Sequence, residues 1–83
     1  MVSLAQVKAT IEAALTDAQV EVRDLTGGGD HLEAIVISPD FEGKSSVDRH
    51  RTIYAVLQQE LSAEAIHALA LTTRTPQEVA ASR

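Results

Sequence analysis

Ile66-His67-Ala68-Leu69-Ala70-Leu71-Thr72 is the stretch on which the fold turns. Its alanines and leucines favour helix, its alternation and trailing threonines favour strand, and periodicity alone does not separate the two. We read it as a strand. The segment before it reads as a helix, so the chain then contains a strand-helix-strand step. A right-handed crossover lays the last strand parallel to the earlier one and covers one face of the sheet.

The preceding helix is expected from about Ser46 to Glu60. Val47, His50, Tyr54, Leu57 and Leu61 recur at steps of three and four, and Ile53 and Val56 widen the stripe. Ser45 can cap this helix, and Asp48 takes the acidic position of a capping box near the positive helix end. The earlier strand is Leu32 to Ser38, rich in β-branched residues and closed by Pro39. Val20 and Val22 alternate with Glu21 and Arg23 as in a half-buried strand, and Gly27-Gly-Gly-Asp30 joins the two strands as a hairpin with a long glycine loop.

At the amino end Leu4, Val7, Ile11, Ala14 and Leu15 share a helical face, with Ser3 as N-cap and Lys8 facing Glu12. At the other end Pro76 starts a short helix expected to fray at Ala81-Ser-Arg83. The expected fold is α+β, in the order helix-strand-strand-helix-strand-helix, with a three-stranded mixed sheet and helices on one face. One domain covers residues 1–83, ordered from about 3 to 79.

Eighty-three residues lie near the size at which one core, worth roughly 3–5 kcal/mol net, holds a fold without staples. The absence of cysteine excludes disulfides, thiol catalysis and thiolate ligation from this chain, so any sulfur ligand must come from a partner. A formal net charge of −5 disfavours long-range attraction to a polyphosphate. No basic region precedes a long apolar run, and no stretch approaches the roughly 20 apolar residues that cross a bilayer, so a soluble, cytoplasmic protein is expected.

Phe41-Glu-Gly-Lys-Ser-Ser-Val-Asp-Arg-His-Arg-Thr-Ile-Tyr54 concentrates the polar chemistry. Gly43-Lys44-Ser45 resembles the end of a phosphate-binding P-loop, but Ser38 stands where the earlier glycine is required. Gly27 to Gly29 lacks the third glycine of a dinucleotide fingerprint, that position being Leu32, and leads into a strand. No nucleophile-elbow spacing is present, and so small a domain has little room for a buried pocket. A non-enzyme is expected. Lys44, Arg49 and Arg51 against Glu42 and Asp48 make a weak basic footprint, and no aromatic stacking platform accompanies it. His50 lies on the apolar stripe and reads as a packed structural histidine beside Tyr54. By spacing alone, His31 and His67 are no metal signature.

The pattern F-x-G-K-S-x-V-x-R-H-R-x-x-Y over Phe41 to Tyr54 resembles the signature of the BolA family, small proteins with a class II KH-like fold. Asp24-Leu-Thr-Gly27 leading to Asp30-His31, Ile66-His-Ala-Leu69 and Thr75-Pro-Gln-Glu78 agree with the family in the same order. The resemblance implies a non-enzymatic partner of a monothiol glutaredoxin, sharing a bridging [2Fe-2S] cluster in iron-sulfur trafficking or in iron or redox sensing. His67 and His31 match the positions of the family's ligands, as in the histidine-loop subtype. Histidine in place of thiolate raises the potential of such a cluster. Two imidazoles leave it half-coordinated, so the partner and its glutathione would complete it, and the lone protein, a monomer or weak homodimer, would hold none.

The resemblance also implies a second role, DNA-binding transcriptional regulation through Gly43, Lys44, Ser45, Arg49 and Arg51. A KH domain grips nucleic acid with a GxxG loop, but Ser46 replaces the second glycine.

Overall fold

The computed structural model describes residues 3–28, 31–62, 66 and 68–81. Helix α1 spans Leu4–Ala14, strand β1 Gln19–Asp24, β2 His31–Ile37, helices α2 Ser46–Val56 and α3 Gln58–Ser62, strand β3 Ala68–Arg74 and helix α4 Pro76–Ala81. The alternating stretch is therefore a strand, displaced two residues toward the carboxyl end. The sheet order is β1-β2-β3, antiparallel between β1 and β2 and parallel between β2 and β3.

The period of two along β2 decides where the core sits. Leu32, Ala34, Val36 and Ser38 are fully buried on one face, while His31, Glu33, Ile35 and Ile37 on the other are half-exposed. Val7 and Ile11 of α1, Val20 of β1, Ile53 of α2, and Leu57, Phe41 and Ile66 complete the core among the described residues. Ser3 caps α1 by accepting from the Gln6 amide at 3.0 Å. Ala14, expected on the apolar face of that helix, is exposed.

Ser38 is the one polar side chain of β2's buried row, and hydrogen bonds satisfy it. Its hydroxyl donates to the Thr16 carbonyl at 2.9 Å and accepts from the Asp40 amide at 3.1 Å. The Asp40 carboxylate in turn accepts from the Thr16 amide at 2.9 Å, which pins the end of α1 to the end of β2. A 3-10 turn at Pro39–Phe41 then carries the chain away from the sheet.

Two features of the main helix differ from the sequence expectation. It is interrupted at Leu57, whose backbone adopts φ −101°, ψ 15° while its amide still bonds the Ile53 carbonyl at 3.0 Å, so α2 and α3 replace one continuous helix. Its inward face is also rotated. Ile53 and Leu57 are fully buried and His50 and Val56 half-buried, whereas Val47 and Tyr54 are 58% and 42% exposed. Residues that share a stripe on a helical wheel can still straddle its edge. Here the centre of the stripe lies roughly a quarter turn from Val47 and Tyr54, so the core placement expected for Tyr54 is corrected to the surface.

Ala81, expected to fray, is the last residue of α4, and Ser82 and Arg83 lie outside the described residues. Gly29 and Asp30 of the hairpin loop lie outside them as well.

Candidate functional site

The stretch from Phe41 to Tyr54 folds as a turn followed by a capped helix. Glu42 and Lys44 donate their amides to the carbonyls of Pro39 and Phe41, both at 3.1 Å. Gly43 between them has φ +75°, a conformation that a side chain strains. The Ser45 hydroxyl accepts from the Asp48 amide at 3.2 Å and starts α2 as expected.

Arg49, expected to offer its charge to a partner or to DNA, instead turns inward. Its side chain is only 11% exposed. Nε donates to the Lys44 carbonyl at 3.0 Å, and the two terminal nitrogens grip the Glu78 carboxylate at 2.8 and 3.2 Å. The guanidinium lies 5.9 Å from the centroid of the buried Phe41 ring. Arginine makes this possible because its planar fork meets a carboxylate with two bonds while its face covers an aromatic ring. Lys44 and Arg51 remain exposed, against the exposed carboxylates of Glu42 and Asp48.

Glu78 serves two structures at once. In Thr75-Pro76-Gln77-Glu78 the Thr75 hydroxyl accepts from the Glu78 amide at 3.1 Å, and the Glu78 carboxylate accepts from the Thr75 amide at 2.8 Å. This reciprocal capping box, with proline at the first helical position, was readable in the sequence. The grip on Arg49, 29 residues away, was not.

The Arg49 hydrogen bonds, and after them the Thr75 amide, hold the Glu78 carboxyl down from its ordinary 4.5 to about 2. A depressed carboxyl stabilises the fold fully above its unfolded pKa, and that contribution disappears as pH falls through the folded one. Between about pH 4.5 and 2 the wild type should therefore lose urea resistance more steeply than Glu78→Gln. Urea midpoints measured across that range test this, and parallel curves would refute it.

The histidine expectations concern the opposite end of β2. His31 is its first residue and is half-buried. The carboxylate of Asp24 accepts from the Thr26 and Gly27 amides at 3.2 and 2.9 Å, and Gly27 takes φ +81°. Leu25 then donates its amide to the His31 carbonyl at 2.8 Å, so the Asp24-Leu-Thr-Gly27 motif builds the base of the loop that presents His31.

In the parallel register His31 faces Ala68, the first residue of β3. His67 precedes Ala68 in sequence but lies outside the described residues. At about 3.3 Å per residue, the length of β2 separates this edge from the Phe41 turn by roughly 20 Å. The described candidate residues thus lie in two places.

Among the described residues no group of three or more histidine, cysteine or acidic side chains is arranged to hold a metal ion. None of their helices is long and apolar enough to cross a membrane.

The family model described as BolA-like protein matches residues 3–78. The chain belongs to the BolA-like family. It is 40% identical over 80 residues to Protein BOLA2 of Arabidopsis thaliana, covering 94% of this chain and 84% of that one. A 52-residue match at 42% identity, covering 63% of this chain and 50% of the other, is to the DNA-binding transcriptional regulator BolA of Haemophilus influenzae.

The solved structure of a BolA homologue from Coxiella burnetii superposes with a TM-score of 0.80 at 37% identity, covering 96% of this chain and 99% of that one. Several curated BolA-like relatives are longer, and this chain spans only 50–57% of them. The order and mixed three-stranded sheet described above are those of the BolA fold. In this BolA-like protein two of the shared segments, the signature and the Thr75–Glu78 box, meet through one ion pair.

Proposed function

We propose that this BolA-like protein is a non-enzymatic adaptor that pairs with a monothiol glutaredoxin and shares a bridging [2Fe-2S] cluster, with His67 and His31 as its ligands. The observation that carries this reading is the parallel register of β2 and β3, which sets His31 opposite the residue that follows His67. The donor chemistry fits half a cluster. The chain contributes imidazole and, having no cysteine, no thiolate, so glutaredoxin and its glutathione would supply the sulfur ligands. When bound, the cluster would supply a labile or potential-sensitive centre for iron-sulfur trafficking or for iron and redox sensing. The chain's own part would be to present His31 at the start of β2, beside a loop whose base Asp24 and Gly27 build, together with His67, which precedes β3 in sequence.

The test is a titration of cluster-loaded monothiol glutaredoxin and glutathione with the purified protein, followed by visible circular dichroism. A new spectrum is expected, abolished by His67→Ala and altered by His31→Ala. An unchanged spectrum, or one indifferent to His67→Ala, overturns the reading.

DNA binding is the second reading, supported by the description of the Haemophilus relative. Electrostatics disfavours it further once Arg49 is neutralised by Glu78, because Lys44 and Arg51 are then offset by Glu42 and Asp48. If DNA were the partner, duplex affinity would fall with salt, and Lys44→Ala and Arg51→Ala would each flatten that slope by about one.

A further inference from the structure

Helix α4, like α3, contains no fully buried residue, and only Val79 along its length is half-buried. Unlike α3, whose Leu61 packs against the core, α4 adds no side chain to it among the described residues. Its first turn is closed by Thr75, which is itself 3% exposed and anchored where β3 ends. From there the bidentate pair of Glu78 with Arg49 reaches back across the fold.

Between α4 and the signature turn lies an open cleft of about 390 Å³, lined by Glu42, Gly43, Arg49, Gln77, Glu78 and Ala81. An element that adds no side chain to the core and is clasped to the signature by an ion pair opens at lower cost than the packed sheet.

We infer that α4 is a latch. Glu78 acts as an internal anion that occupies the Arg49 fork, and α4 swings out as a unit about Thr75 when that pair parts. The sheet, α1 and α2 stay folded, because their core of Val7, Ile11, Leu32, Val36, Ile53 and Leu57 includes nothing from α4. In the closed state the signature's most buried cation is masked. In the open state the guanidinium faces the cleft and is available to an anionic group, while Nε still holds the Lys44 carbonyl. The device depends only on the clasp and is independent of the histidine edge at the other end of β2.

Glu78→Gln isolates the clasp, because glutamine can still close a capping box onto the Thr75 amide but carries no charge for Arg49. Arg49→Lys is the complementary variant, keeping the charge and losing the fork. Amide hydrogen exchange of the full chain, read by NMR at Val79 and Ala80 and at Leu32, Ala34 and Val36, is the measurement.

Protection of the two α4 amides should fall at least about fivefold in both variants, an order of magnitude set by ordinary charge-assisted bonds, with β2 unchanged. Three results would overturn the latch: α4 protection that is undetectable in the wild type, α4 protection that survives either variant, or equal losses in α4 and β2.

Discussion

Phe41→Ala is expected to leave the chain unfolded at 25 °C. The ring is fully buried at the junction of the 3-10 turn and the core, and it also carries the Arg49 guanidinium on its face. Truncating a buried phenylalanine costs about 3–5 kcal/mol, as much as a domain of this size has in reserve. The loss is compounded because the turn that Phe41 anchors supplies the Lys44 carbonyl for Arg49. Far-ultraviolet circular dichroism and amide proton dispersion would report the collapse directly. Phe41→Leu, which keeps most of the apolar volume, should remain folded with a lowered urea midpoint. A cooperative, native-like unfolding transition for Phe41→Ala at wild-type denaturant concentration would show that the ring is not the keystone inferred from its burial.

The second large effect discriminates between adjacent residues of α2. Ile53→Ala should destabilise by about 2–5 kcal/mol, since it removes a fully buried side chain from the core and leaves a cavity. Tyr54→Ala, one residue on, should change stability by no more than about 0.5 kcal/mol, because the tyrosine is 42% exposed. Val47→Ala should behave like Tyr54→Ala. Urea unfolding of the three variants settles the matter. If the tyrosine substitution proved as costly as the isoleucine one, the helix face described here would be misplaced by the same quarter turn that separates it from the sequence expectation.

That quarter turn has an identifiable origin. Counting apolar residues along Ser46 to Glu60 places Val47, His50, Tyr54 and Leu57 on one stripe and treats Arg49 as outward because it is charged. In the fold Arg49 points inward, since Phe41 offers a ring and Glu78 a carboxylate to receive it. An inward arginine near the start of α2 swings the buried face toward Ile53 and Leu57 and leaves Val47 and Tyr54 in solvent. A charge is written off as exposed only while its partner is unknown. Glu78 stands in another element, so no local window contains both residues.

The capping serines show the opposite case. Ser3, Ser45 and the Thr75–Glu78 box satisfy amides within three residues, and all of them are visible in the chain as written.

What the amino-acid sequence determined by itself was local and periodic. It set the alternation of β1 and β2, the caps of α1 and α2, the glycine turns, the Pro76 start of α4 and the four spaced motifs of the BolA-like family. These depend on interactions spanning a few residues, or on a pattern shared across a family.

Tertiary structure alone decided the direction of Arg49, the exposure of Tyr54, the interruption at Leu57 and the register that sets His31 against Ala68. Each of these depends on which distant group fills a space or completes a hydrogen bond. Burial and ion pairing are properties of neighbours in space, and the chain acquires those neighbours only when it folds.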